Sequence, residues 1–98
     1  MKNLFVCLVH YTQPLDQILE SLSEHREYLS SGYDKGLLLA SGPRVPKDGG
    51  IIIGRFASKA EAQEFCNNDP FARKNLASYE ILEFEPVLHA SILDEFVK

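Results

Sequence analysis

Two side chains far apart in this sequence have the chemistry of a proton-transfer pair, and the first is His25. At about 100° per residue, Leu15, Ile18, Leu19, Leu22 and Leu29 gather on one side of a helix, while Asp16, Glu20, Ser23, Glu24, Glu27 and Ser31 take the other. His25 falls on the margin of the apolar arc, between Ile18 and Leu29 on one flank and Tyr28 on the other. An imidazole there is half dry and still faces a cleft, which suits a general acid or base working near neutral pH.

The second is Asp69, in Asp69-Pro70-Phe71. Pro70 biases Asp69 toward an extended backbone, and proline at the first helical position makes Asp69 a natural N-cap for a short turn running to Leu76. Capping alone accounts for this residue and outweighs a chemical role on spacing alone. The chemical reading is that one carboxylate oxygen faces His25 and fixes its tautomer.

Other groups carry weaker signals. Ser41-Gly42-Pro43 ends a strand, where a glycine admits a ligand to the backbone N–H groups and the hydroxyl donates or accepts. Arg44 lies just beyond and is suited to a carboxylate, although turn chemistry explains Gly42 and Pro43, and solvation explains Arg44. His10 and His89 have no partner at metal-ligand spacing and read as surface or interface residues. His25 with Asp69 would make a poor zinc site, having only two protein ligands. Tyr28 and Tyr79 are candidates to line a cleft, with simple core packing as the commoner use. Cys7 and Cys66 have no CxxC spacing and no basic neighbour to activate a thiol, so they read as buried free thiols suited to a reducing cytoplasm.

The bulk properties narrow the class. Ninety-eight residues make one domain, spanning 1–98, with one modest core. The net charge is −4, and the basic residues are scattered singly, which argues against nucleic acid and anionic membranes as partners. The N-terminal apolar run is too short to span a membrane and lacks a small-residue cleavage site.

These groups must be positioned by a small set of elements. Residues 3 to 11 read as a central strand, rich in Val, Phe and Tyr. A helix is expected over Leu15 to Ser31, opened by Pro14 and Asp16, with Gly32 and Gly36 as places to stop. Gly36 to Gly42 and Ile51 to Phe56 form a hairpin around the Pro43 to Gly50 turn. Ser58 with Glu61 is a capping box opening a second helix to about Asn67, with Ala62, Phe65 and Cys66 inward. Tyr79 to Leu88 reads as the fourth strand, and Ala90 to Lys98 as a closing tail. The order βαββαβ defines an α+β sandwich whose right-handed crossovers place both helices on one face of an antiparallel sheet. RNA-recognition modules share this order, but GGIIIGRF lacks their basic, aromatic third strand.

The first strand is apolar on both parities, Leu4, Val6 and Leu8 against Phe5, Cys7 and Val9, so it wants cover on both faces. One chain supplies one cover. A second subunit on the open face, giving an isologous homodimer, is expected; the alternative is that the C-terminal tail folds back over it.

His25 with Tyr28-Leu29, Gly36, Ser41-Gly42-Pro43, Gly49-Gly50, Asp69-Pro70-Phe71, Tyr79-Glu80-Ile81 and Glu83-Phe84 together resemble the YCII-related domain family, within the dimeric α+β barrel superfamily. The resemblance covers nearly the whole chain. It implies a ferredoxin-like protomer, a dimer with facing sheets, and His25 and Asp69 as an acid-base pair. Beside the resemblance, the residue reading expects a small, anionic metabolite in the cleft, with Ser41, Gly42, Arg44 and Phe71 as the substrate-binding set. Many members carry Arg three residues before the His, where this chain has Leu22. The function expected is a cofactor-free, metal-free lyase, isomerase or hydrolytic dehalogenase; the rival is a ligand-binding or assembly domain without turnover.

Overall fold

The computed structural model describes residues 1–98. Strand β1 (Leu4–Tyr11) is followed by α1 (Leu15–Glu20), α2 (Leu22–Asp34), the hairpin β2 (Leu38–Pro43) and β3 (Gly49–Arg55), α3 (Lys59–Asn67), α4 (Pro70–Arg73) and β4 (Ala77–Phe84). A 3-10 turn at Ser91–Leu93 leads into α5 (Asp94–Val97). The sheet order is β2-β3-β1-β4 with every neighbour antiparallel, so β1 lies inside the sheet as its apolar run requires. This is the ferredoxin-like α+β architecture expected from the order of elements.

Phe5, Cys7 and Val9 of β1, Ile52 of β3 and Ile81 of β4 share one face. They join Ile18, Leu29, Ala62, Cys66 and Phe71 from the helices in a single core. Phe5 and Phe56 meet edge to face at 5.6 Å, a contact worth about 1 kcal/mol beyond burial.

The first helical segment differs from the continuous Leu15 to Ser31 helix. It breaks at Ser21, whose φ of −107° and ψ of 6° leave helical geometry, and whose buried hydroxyl accepts from Lys74 Nζ at 3.1 Å. It also passes Gly32, because that glycine packs closely: a Cβ there would lie 2.9 Å from Phe65 Cζ. The helix stops instead before Gly36, where φ is +73°.

The strand ends shift for equally local reasons. β3 begins at Gly49 rather than Ile51, because Gly49 and Gly50 pair with His10 and Val9 in the β1 ladder. β4 ends at Phe84 rather than Leu88, since buried Pro86 has no N–H to continue a ladder. β2 starts at Leu38, two residues later than expected, where its pairing to Gly54 begins. A Cβ at Gly49 would sit on the Val9 carbonyl oxygen, so Gly49→Ala should cost about 2–3 kcal/mol in urea unfolding. A loss below about 0.5 kcal/mol would show that the ladder yields there.

On the opposite face stand Val6, Leu8, Ile51, Ile53, Leu82 and Phe84. The C-terminal tail does not fold back across them. Arg55 donates to the Glu95 and Phe96 carbonyls and stacks on Phe96, and Lys2 N–H donates to Val97 O, so the tail is tied to the Leu4–Arg55 end. Leu82 and Phe84 each remain 47% exposed. No helix is long and apolar enough to cross a membrane.

Candidate active site

Helix α2 carries His25 and α4 carries Asp69 at its N-terminus, and these elements pack together so that the two side chains meet. His25 Nδ1 lies 2.8 Å from both Oδ1 and Oδ2 of Asp69. An ionised carboxylate only accepts, so Nδ1 carries the hydrogen and donates it to Asp69, leaving Nε2 as the nitrogen free to exchange a proton.

Asp69 performs the capping role as well. Its side chain is 1% exposed. Oδ1 accepts the Phe71 N–H at 3.0 Å, satisfying an orphan donor of α4, and Oδ2 accepts the Tyr79 hydroxyl at 2.6 Å. The two readings of Asp69 are therefore compatible, because one oxygen caps while the pair faces the imidazole. Phe71 then stacks flat on the His25 ring, with centroids 4.0 Å apart and planes 4° from parallel. Bond and stack together fix the ring against rotation.

His25 is 13% exposed and lines a cavity of about 220 Å³ between α1, α2 and the β2–β3 hairpin. Ile18, Leu22, Leu29 and Ile52 make its body apolar. This is smaller than a drug-sized pocket and suits a compact guest. Of the expected binding set, Ser41, Gly42 and Phe71 line this space. Ser41 is also held by Tyr33, hydroxyl to hydroxyl at 2.8 Å. Arg44 does not join them: its guanidinium turns to Asp48, with Nε 3.7 Å from Oδ1, in an i,i+4 pair that the turn makes locally.

Two charged residues at the cavity wall lie outside the expected set, Arg26 and Lys47. The helical pattern assigns Arg26 no role, and Lys47 falls within the Pro43 to Gly50 turn. Tyr28 and Tyr79 fall outside the cavity lining, which Tyr11 joins instead. Tyr28 donates to Phe65 O at 2.6 Å, and Tyr79 supports Asp69 from behind.

Burial and the Asp69 charge push the Tyr79 hydroxyl up, and burial above all raises Tyr28 to about 12. Both tyrosines hold their protons more tightly folded than unfolded. Above about pH 10 the unfolded chain ionises first, so stability should fall as pH rises toward 12. Urea unfolding across this range should show that decline, with a shallower slope in Tyr28→Phe; a flat profile would contradict it.

Cys7 and Cys66 are buried free thiols, and the neighbouring Cys7 thiol together with burial pushes the Cys66 thiol up. No three His, Cys, Asp or Glu side chains converge, so His25 and Asp69 would be two lone protein ligands for any metal. His10 pairs with Glu80 at 3.6 Å and His89 with Asp94 at 3.6 Å, both away from the cavity.

The fold is thus that of an α+β protein with a ferredoxin-like sheet, with a carboxylate-held histidine beside a cavity. Residues 3–85 match the YCII-related domain, and the chain belongs to that family. Among solved structures it is similar to 5-chloro-2-hydroxyhydroquinone dehydrochlorinase (TftG) from Burkholderia phenoliruptrix AC1100, in complex with 2,5-dihydroxybenzoquinone. The TM-score is 0.72 and the identity 20%, covering 84% of this chain and 93% of that one. That likeness is one of fold. No curated protein matches the chain.

Proposed function

We propose that this protein is a small-molecule enzyme of lyase, isomerase or dehalogenase type, in which His25 Nε2 moves a proton on a compact, oxygen-bearing guest. The observation that carries the reading is the imidazole held by buried Asp69 with its ring in the wall of a cavity. Asp69 orients the ring and balances the imidazolium that forms when Nε2 takes a proton. Ser41, with the backbone near Gly42, would face oxygen charge developing on the guest. Elimination, isomerisation and hydrolytic dehalogenation share one need, a proton moved to or from carbon or oxygen, and none needs this chain to supply a redox group.

The similar solved enzyme directs the first trial. Its named substrate, 5-chloro-2-hydroxyhydroquinone, should be mixed with this protein while chloride release and ring-proton exchange in D₂O are followed by NMR. Release or exchange above the buffer rate, absent in His25→Gln, supports the proposal. Saturable binding of 2,5-dihydroxybenzoquinone without either reaction would move the cavity to the ligand-binding reading.

The open sheet face supports a homodimer, in which each subunit covers Val6, Leu8, Ile53, Leu82 and Phe84 of the other. Sedimentation equilibrium should give twice the 11.0 kDa chain mass, and Ile53→Glu should give the single mass. A wild-type monomer at micromolar concentration would remove the dimer. The buried free thiols suit a reducing compartment such as the cytoplasm.

A further inference from the structure

The cavity wall has a charge pattern opposite to that of the chain. The protein carries a net charge of −4, yet Arg26 and Lys47 line the cavity and no Asp or Glu does. The nearby acids have other partners. Asp48, next to Lys47, pairs with Arg44, and Glu24 pairs with Lys74 at 2.9 Å. Arg26 has Leu22, Ser23, Leu29 and Ser30 at the helical-neighbour positions, so α2 offers it no carboxylate at pairing distance.

Both cations are exposed, as are Leu15 and Leu19, whereas Ile18 and Phe71 in the same wall are buried, so the rim carries the charge together with some hydrocarbon and the buried side chains beneath it are hydrocarbon alone. The two cations come from different elements, α2 and the β2–β3 turn.

We infer that Arg26 and Lys47 form a carboxylate reader at the mouth of the cavity, and that the guest is a compact monocarboxylate with an apolar body. The inference rests on the proposed site and adds the chemical class of its substrate. A carboxylate held at the mouth leaves the hydrocarbon against Ile18, Leu22 and Leu29, and brings the far end of the guest to the His25 ring. Guanidinium offers a two-pronged contact to the carboxylate, and the Lys47 ammonium adds a point charge from the other side. Arg44 acts at one remove, since its pairing with Asp48 keeps that acid from neutralising Lys47.

The test compares benzoate with its neutral isostere benzamide by NMR titration at low salt. Wild type should bind benzoate about tenfold more tightly than benzamide. The preference should shrink with added salt as the exposed cations are screened. Arg26→Gln with Lys47→Gln should erase the preference by weakening benzoate alone. Lys59→Gln, a charge change of the same sign on α3 away from the cavity, should leave it intact. His25→Gln should also keep it, so a reader that survives while turnover fails separates this inference from the catalytic one. Equal binding of the two probes, no saturable benzoate binding, or a preference lost in His25→Gln but kept in the double variant would each overturn it.

Discussion

A His25→Gln protein is expected to fold as the wild type does and to lose about 10²–10⁴-fold in turnover, the range for removing one general acid or base. Glutamine keeps an amide N–H able to reach Asp69, so the carboxylate is not stranded and the buried network persists. It has no group that titrates near neutrality, so the proton shuttle at Nε2 is gone. The loss should fall on kcat with little change in KM, because the apolar wall of the cavity is untouched. Activity within about threefold of wild type would show that His25 serves packing, through its stack on Phe71, and that the chemistry lies elsewhere.

Asp69→Ala is expected to cost about 4 kcal/mol, a large part of the stability of a domain this size. Three donors lose their acceptor at once: the Phe71 N–H, the Tyr79 hydroxyl and His25 Nδ1. Loss of the N-cap alone accounts for about 1 kcal/mol, and each buried donor left unpaired adds about 1–3 kcal/mol before relaxation. Asp69→Asn should cost less, because its oxygen can still cap Phe71. It should nevertheless loosen the ring, so that ¹⁵N NMR of neutral His25 shows a mixture of tautomers where wild type shows the hydrogen on Nδ1 alone. An Asp69→Ala midpoint within about 1 kcal/mol of wild type would mean that water replaces the lost acceptor.

Much of this was legible one element at a time. The apolar stripe of the first helical segment placed His25 at the margin between core and solvent. The DPF tripeptide placed Asp69 as an N-cap, and the structure shows that cap. Their pairing rested on the family resemblance and not on any local pattern, because it depends on how α4 packs against α2, and no local pattern encodes the distance between residues 25 and 69.

The misses have the same origin. Ser21 breaks the helix while held by a lysine from position 74, and Gly32 continues it because Phe65 needs the space of a missing side chain. Arg26 and Lys47 gave no signal beyond being singly scattered basic residues, because a charge at a cavity rim has the same sequence context as one on an open face. Tyr79 gave no sign of its carboxylate partner, since a tyrosine in a strand reads as core.

The triple use of one carboxylate bears on how relatives of this chain should be compared. A residue that folding itself demands will persist through divergence even in copies that have abandoned chemistry, so an aspartate at position 69 is a poor witness to activity. The informative position is 25, whose imidazole the α4 cap does not require; if the proposed proton transfer holds, a homologue with glutamine or leucine there would be a scaffold that kept its architecture without that chemistry.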